Sequence, residues 1–74
     1  MNGAKDERLE LGDRPINLTQ VLKLSGCVLT GGEAKVLIAL GRVRVNGEVE
    51  LRKRRQMGAG DVVQVDGDVK ITLV

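Results

Sequence analysis

Seventy-four residues make one domain, near the lower limit for a self-sufficient core. The chain has no Phe, Tyr or Trp, so aliphatic side chains must fill that core, and no ring is present to stack on a nucleic-acid base; this argues against the single-strand readers that rely on stacking. A single Cys and no His exclude an internal disulfide and a His-activated nucleophile and argue against a transition-metal site, while the formal net charge is only +2.

Taken in order, residues 1–8 (MNGAKDER) are polar and lack periodicity; they are expected to form a mobile tail, leaving 9–74 as a single domain. Arg8 to Leu11 alternates and suits a short edge strand, and Gly12 and Pro15 then punctuate the chain. Asn17 is a good helix N-cap. Leu18, Val21, Leu22 and Ser25 share one face of a helix spanning about 18–25, which Gly26 ends. Lys23, on the other side, is either a solvated helix lysine or a phosphate contact. Cys27, Val28 and Leu29 form an apolar connector in which Cys27 reads as a small buried residue.

A second helix follows over about 31–40. Thr30 and Glu33 have the spacing of a capping box, in which the hydroxyl and the carboxylate each take up a free backbone N–H. Ala34, Leu37 and Ile38, then Val36 and Leu40, sit at helical spacing, and Gly41 stands where a helix ends. The period then changes to two: Val43 and Val45 alternate with Arg42, Arg44 and Asn46. Asn46-Gly47 predicts a tight hairpin turn between strands over about 43–46 and 48–51. Four consecutive cations, Arg52 to Arg55, come next, then a glycine turn over residues 57–61. Strands over about 62–66 and 69–73 flank a second turn signal, Asp66-Gly67. Two helices followed by four short strands imply an α+β fold, with the helix pair on one face of a small, mostly antiparallel sheet of four to five strands. The expected core comprises Leu18, Val21, Leu22, Leu37, Ile38, Val43, Val45, Val62 and Ile71.

The small net charge conceals an asymmetry. Residues 15–56 hold eight cations against three carboxylates, a balance of +5, and the segments on either side are acidic. Localised positive charge of this kind is the footprint of a nucleic-acid binder. A helix N-terminus adds unpaired N–H groups and a partial positive charge, and Gly31 and Gly32, lacking Cβ atoms, allow a phosphate backbone to come close. Lys35 lies one turn further on. Arg42 and Arg44 extend a cationic stripe that the Arg52–Arg55 run can continue, with arginine forks suited to phosphate oxygens. The bland alternatives are a cap that serves only the helix, a solvated strand face and an exposed loop. Glu48 and Glu50 share a strand face and are read as salt-bridge partners of the neighbouring arginines. Asp61 is read as stabilising its turn.

The ordered set Leu22-Lys23-Leu24, Gly31-Gly32-Glu33-Ala34-Lys35, Ile38, Gly41, Val43, Val45-Asn46-Gly47, Arg52 and Gly60-Asp61-Val62-Val63 resembles the ribosomal-protein-S-four-type RNA-binding domain, the αL RNA-binding motif. More narrowly, the chain is similar to the short stand-alone bacterial members of that superfamily, the YbcJ-like and YaaA-like proteins. The resemblance runs from about Leu9 to the C-terminus. It implies two helices in an L beside a small sheet, and non-catalytic binding of structured RNA of the rRNA or tRNA type. It also implies an RNA-facing set: Thr30, Gly31, Gly32, Lys35, Arg42, Arg44, Arg52, Lys53, Arg54 and Arg55. No catalytic residue, metal, cofactor or small-molecule substrate is expected. With no signal peptide and no apolar run near 18 residues, the chain is expected to be soluble, cytoplasmic, away from membranes and monomeric. The alternative function is a protein-interaction adaptor that docks an acidic partner on the same basic face.

Overall fold

The computed structural model describes residues 5–74. Its elements are β1 (Lys5–Leu9), β2 (Ile16–Asn17), α1 (Leu18–Leu24), α2 (Gly31–Ala39), β3 (Val43–Val45), β4 (Glu48–Val49), β5 (Gln56–Met57), β6 (Val62–Val65) and β7 (Val69–Leu73). Five strands form one sheet in the order β1-β7-β6-β3-β4; β1 runs parallel to β7 and the other pairs are antiparallel. The remaining two, β2 and β5, make a separate antiparallel pair. The α+β expectation therefore holds.

Both tight turns form as the dipeptides predict. Asn46 and Gly47 have φ of 53° and 89°, and Asp66 and Gly67 have φ of 55° and 74°. Two successive positive φ values match the right-handed twist of the flanking strands, and Asn, Asp and Gly are the residues that adopt them most readily. Gly41 (φ 74°) closes α2 in the same way. Its N–H donates to the Ile38 carbonyl (3.0 Å) and that of Arg42 to the Leu37 carbonyl (3.1 Å), the paired bonds that end a helix at a left-handed glycine. Both expected N-caps form, and only the second half of each box differs from the spacing. On α1, Asn17 and Gln20 make the reciprocal box, each side-chain oxygen accepting the other's N–H at 2.9 Å. On α2, the Thr30 hydroxyl accepts from the Glu33 N–H (3.1 Å), but the Glu33 carboxylate reaches past Thr30 and accepts from Leu29 N–H (2.9 Å).

One aliphatic cluster joins Leu18, Val21 and Leu22 of α1, Ala34 and Ile38 of α2, and the inward residues Val43, Val45, Val63, Val65, Ile71 and Leu73 of the sheet. Two expected core members are half-buried instead. Val62 is out of phase with inward Val63 and Val65, and Leu37 flanks a stripe centred on Ala34 and Ile38. Cys27 is half-buried too and packs against the core's edge. The tail expected over 1–8 is corrected in part. Lys5 to Arg8 lie in β1, in register with Val69 to Thr72, where the partner strand supplies the hydrogen bonds that polar residues cannot earn by burial. Residues 1–4 lie outside the described residues.

The candidate nucleic-acid interface

The basic run Arg52–Arg55 is a tight turn with feet and a tip. The Arg55 N–H donates to the Arg52 carbonyl (3.2 Å), which closes the turn and leaves Lys53 and Arg54 at its corners. Glu50 clamps the feet. Arg52 donates to both of its carboxylate oxygens (2.9 and 3.0 Å), and Arg55 Nε lies 3.1 Å from Oε1. Arg55 also sits 3.5 Å from Asp61, and its side chain is only 25% exposed. The tip residues are different: Lys53 and Arg54 are exposed and their side chains make no ion pair among the described residues.

Two backbone bonds pin this turn against the first helix. The Leu18 N–H donates to the Arg55 carbonyl (3.0 Å) and the Thr19 N–H to the Lys53 carbonyl (3.2 Å). The β2–β5 pair immediately precedes them, so the loop continues its ladder onto the start of α1. These carbonyls use up amides that a helix N-terminus leaves unpaired, and they face inward while the cations face out.

The start of α2 lies on the other side of Thr19. A Cβ built on Gly31 would meet the Thr19 Cγ2 at 3.8 Å, and one on Gly32 would meet the Thr30 hydroxyl at 3.9 Å. Both are ordinary contacts, and neither glycine has a positive φ, so nothing among the described residues requires glycine there. Glycine lowers helix stability by roughly 1 kcal/mol relative to alanine. Two such residues in the first turn suit an external group that approaches the backbone closely. Lys35, exposed and one turn further on, points back toward the same end. Thr19 thus stands between Gly31 and the Lys53 carbonyl.

Arg42 and Arg44 lie on the outer face of β3, opposite Val43 and Val45, as the alternation predicts. Both border a shallow concavity with Gln64 and Asp66 on the outer side of the sheet. Arg44 pairs across the strands with Gln64 and Val49, all three facing away from the core. Arg42 is held by the Asp66 carboxylate, with Nε donating to Oδ1 at 2.7 Å, and this bond draws the Asp66 carboxyl below its ordinary range. Of the two carboxylates expected to pair with arginines, Glu50 does so and Glu48 makes no ion pair among the described residues. Asp61 orders its turn as expected. Burial pushes its carboxyl up, but hydrogen bonds from Asn46 (3.0 Å) and the Gly58 N–H (2.9 Å) and the charge of Arg55 leave it lowered.

Sequence reasoning missed Thr19, because a threonine in the first turn of a helix carries no signal of what it will touch 34 residues later. It also missed the division of labour within Arg52–Arg55. The placement of Glu50 two residues before Arg52 is the one local hint of it.

The clamp predicts a pH dependence. Hydrogen bonds from Arg52, then the charges of Arg52 and Arg55, outweigh desolvation and lower the Glu50 carboxyl from 4.5 to about 2. A folded-state value below the unfolded one means that the stabilisation is fully present above pH 4.5 and is lost as pH falls toward about 2. The melting temperature followed by circular dichroism should therefore drop through that window, and the drop should be shallower in Glu50→Gln. Asp61 and Asp66 retain their share of it. Equal drops in both proteins would remove Glu50 from the account.

Comparison with known proteins agrees with this architecture. Among the described residues no helix is long and apolar enough to cross a membrane, and no group of three or more His, Cys, Asp or Glu is placed to hold a metal ion. The solution structure of YbcJ from Escherichia coli superposes with a TM-score of 0.66 at 39% identity, covering 97% of this chain and 90% of that one; that structure has an αL motif involved in RNA binding. In sequence, YbcJ of Escherichia coli (strain K12) is 45% identical over 58 residues, 77% of this chain and 83% of the relative. A Bacillus subtilis (strain 168) protein named "Probable ribosome maturation protein RlbA" is 40% identical over 52 residues, 70% of this chain and 73% of the relative. The family model for the S4 domain matches residues 9–74, and on that match and these relatives the chain belongs to the S4 domain family.

Proposed function

We propose that this chain is a non-catalytic module that binds folded RNA by its shape and phosphate positions, as a monomer in the cytoplasm. One observation carries the reading: the glycine start of α2 and the exposed Lys53–Arg54 turn tip lie on either side of Thr19, so backbone amides and unpaired cations share one surface. Phosphates are anionic acceptors, and such a surface offers them both donors and charge. The absence of any aromatic ring removes base stacking, the usual device for reading unpaired bases, and leaves geometry as the basis of recognition. The RNA-binding motif of YbcJ supports the ligand class, and the ribosome-maturation name of the Bacillus relative makes ribosomal RNA the first folded RNA to try, with tRNA second.

The test is a titration against three labelled RNAs of equal length: an rRNA stem-loop fragment, a tRNA fragment and an unstructured strand. Folded RNA should bind more tightly than the unstructured strand at the same salt concentration. Equal binding would remove shape recognition. Binding of an acidic polypeptide, with no RNA bound at all, would leave the adaptor reading instead. Lacking Trp and Tyr, the protein absorbs almost nothing near 280 nm, so nucleic acid that co-purifies is directly visible.

A further inference from the structure

We infer that Thr19 is a positioning residue that locks the basic turn beside the start of α2, so that the two halves of the surface are presented to RNA as one rigid unit. The inference rests on the RNA-binding reading above and adds to it the residue on which its geometry depends.

Three observations meet at Thr19. Its Oγ1 donates to the Lys53 carbonyl at 2.8 Å. Its own N–H donates to the same carbonyl at 3.2 Å. Its Cγ2 lies over Gly31, 3.8 Å from where a side chain there would begin. One side chain thus grips the carbonyl of a tip residue with its hydroxyl and turns its methyl toward the first residue of α2. The two partners come from segments far apart in sequence, and β2–β5 holds the turn only as far as Gln56. Beyond that pair, the bonds from Leu18 and Thr19 are what carry the turn onto α1. Lys53 and Arg54, having no ion pair of their own among the described residues, depend on the backbone for their placement. A loop held in its binding geometry does not lose conformational freedom when the ligand arrives, so the lock acts on affinity without contacting RNA.

The hydroxyl and the methyl can be separated. Thr19→Val keeps the shape and the β-branch but removes the donor; Thr19→Ser keeps the donor and removes the methyl. Loss of the hydroxyl should weaken binding of the rRNA stem-loop about 3- to 10-fold, the range for one hydrogen bond. The slope of log affinity against log salt should stay as in wild type, because no cation is removed. Thr19→Ser should restore most of the affinity. In the free protein, hydrogen exchange should quicken at the Arg55 amide in Thr19→Val while the amides of β6 and β7 keep their wild-type rates, which marks a local release and not a loss of fold.

Unchanged affinity in Thr19→Val, or the same weakening in Thr19→Ser, would overturn the inference. So would unchanged exchange at Arg55, a readout that needs no RNA and therefore stands even if wild type fails to prefer folded RNA. In that case the failure belongs to the RNA reading, and the lock is judged on exchange alone.

Discussion

Replacing Lys35, Lys53 and Arg54 together by alanine should lower affinity for folded RNA on the order of 100-fold at about 0.1 M salt, and should reduce the salt slope by roughly 2 to 3. All three side chains are exposed and make no ion pair among the described residues, so their charge is available to a phosphate without breaking anything in the protein. Each phosphate contact contributes about 0.7 to 0.9 to the slope. The loss should be similar across RNA sequences, since phosphate contacts carry no base information. The thermal melt should be close to that of wild type. Arg55→Ala should behave in the opposite sense. Its guanidinium links Glu50 to Asp61 and is only 25% exposed, so the melt should fall while the salt slope changes little. A triple variant that keeps the wild-type slope would show that the turn tip and helix end do not face RNA. Arg42 and Arg52, occupied by Asp66 and Glu50, are intermediate cases, because a phosphate must first displace a carboxylate.

The other large effect concerns stability. Ile38→Ala should destabilise the domain by about 2–5 kcal/mol. Ile38 is 1% exposed and belongs to the single aliphatic cluster that joins both helices to the sheet. Removing three carbons there leaves a cavity in a core with no aromatic ring able to shift and fill it. A domain of this length has a total stability of roughly 4–11 kcal/mol, so the loss is a large part of the whole. The melting temperature should fall by at least about 10 °C. Leu37→Ala, at a half-buried site beside the stripe, should cost less, and Leu40→Ala, at a site 63% exposed, should be nearly silent. A melt that ranks Leu37 above Ile38 would contradict the packing described for α2.

Much of this was legible in the residues. Local rules settled the two helices, because Asn17, Thr30 and Gly41 act within a turn or two of themselves. The hairpins followed for the same reason: Asn46-Gly47 and Asp66-Gly67 favour the positive φ values that such turns require, whatever surrounds them. Alternation placed Val43, Val45 and Ile71 in the core. It misplaced Val62, since three valines in four positions do not declare which parity faces inward. The balance of +5 over 15–56 marked the segment that holds the candidate surface.

Other features had no local cause. β2 and β5 are two residues each, too short for any period, and exist because residues 16–17 and 56–57 are brought together by the fold. β1 reads as a polar tail, and only the free edge of β7 makes it a strand. Four adjacent cations look alike in the chain. Glu50 and Asp61 hold the outer two and leave Lys53 and Arg54 to solvent. Arg42 and Arg44 alternate with Val43 and Val45 in the chain, but only the β3–β6 ladder sets Gln64 and Asp66 beside them. Thr19 gained its neighbours in the same way: a hydroxyl bonds whatever acceptor comes within about 3 Å, and which carbonyl that is depends on contacts between segments 34 residues apart.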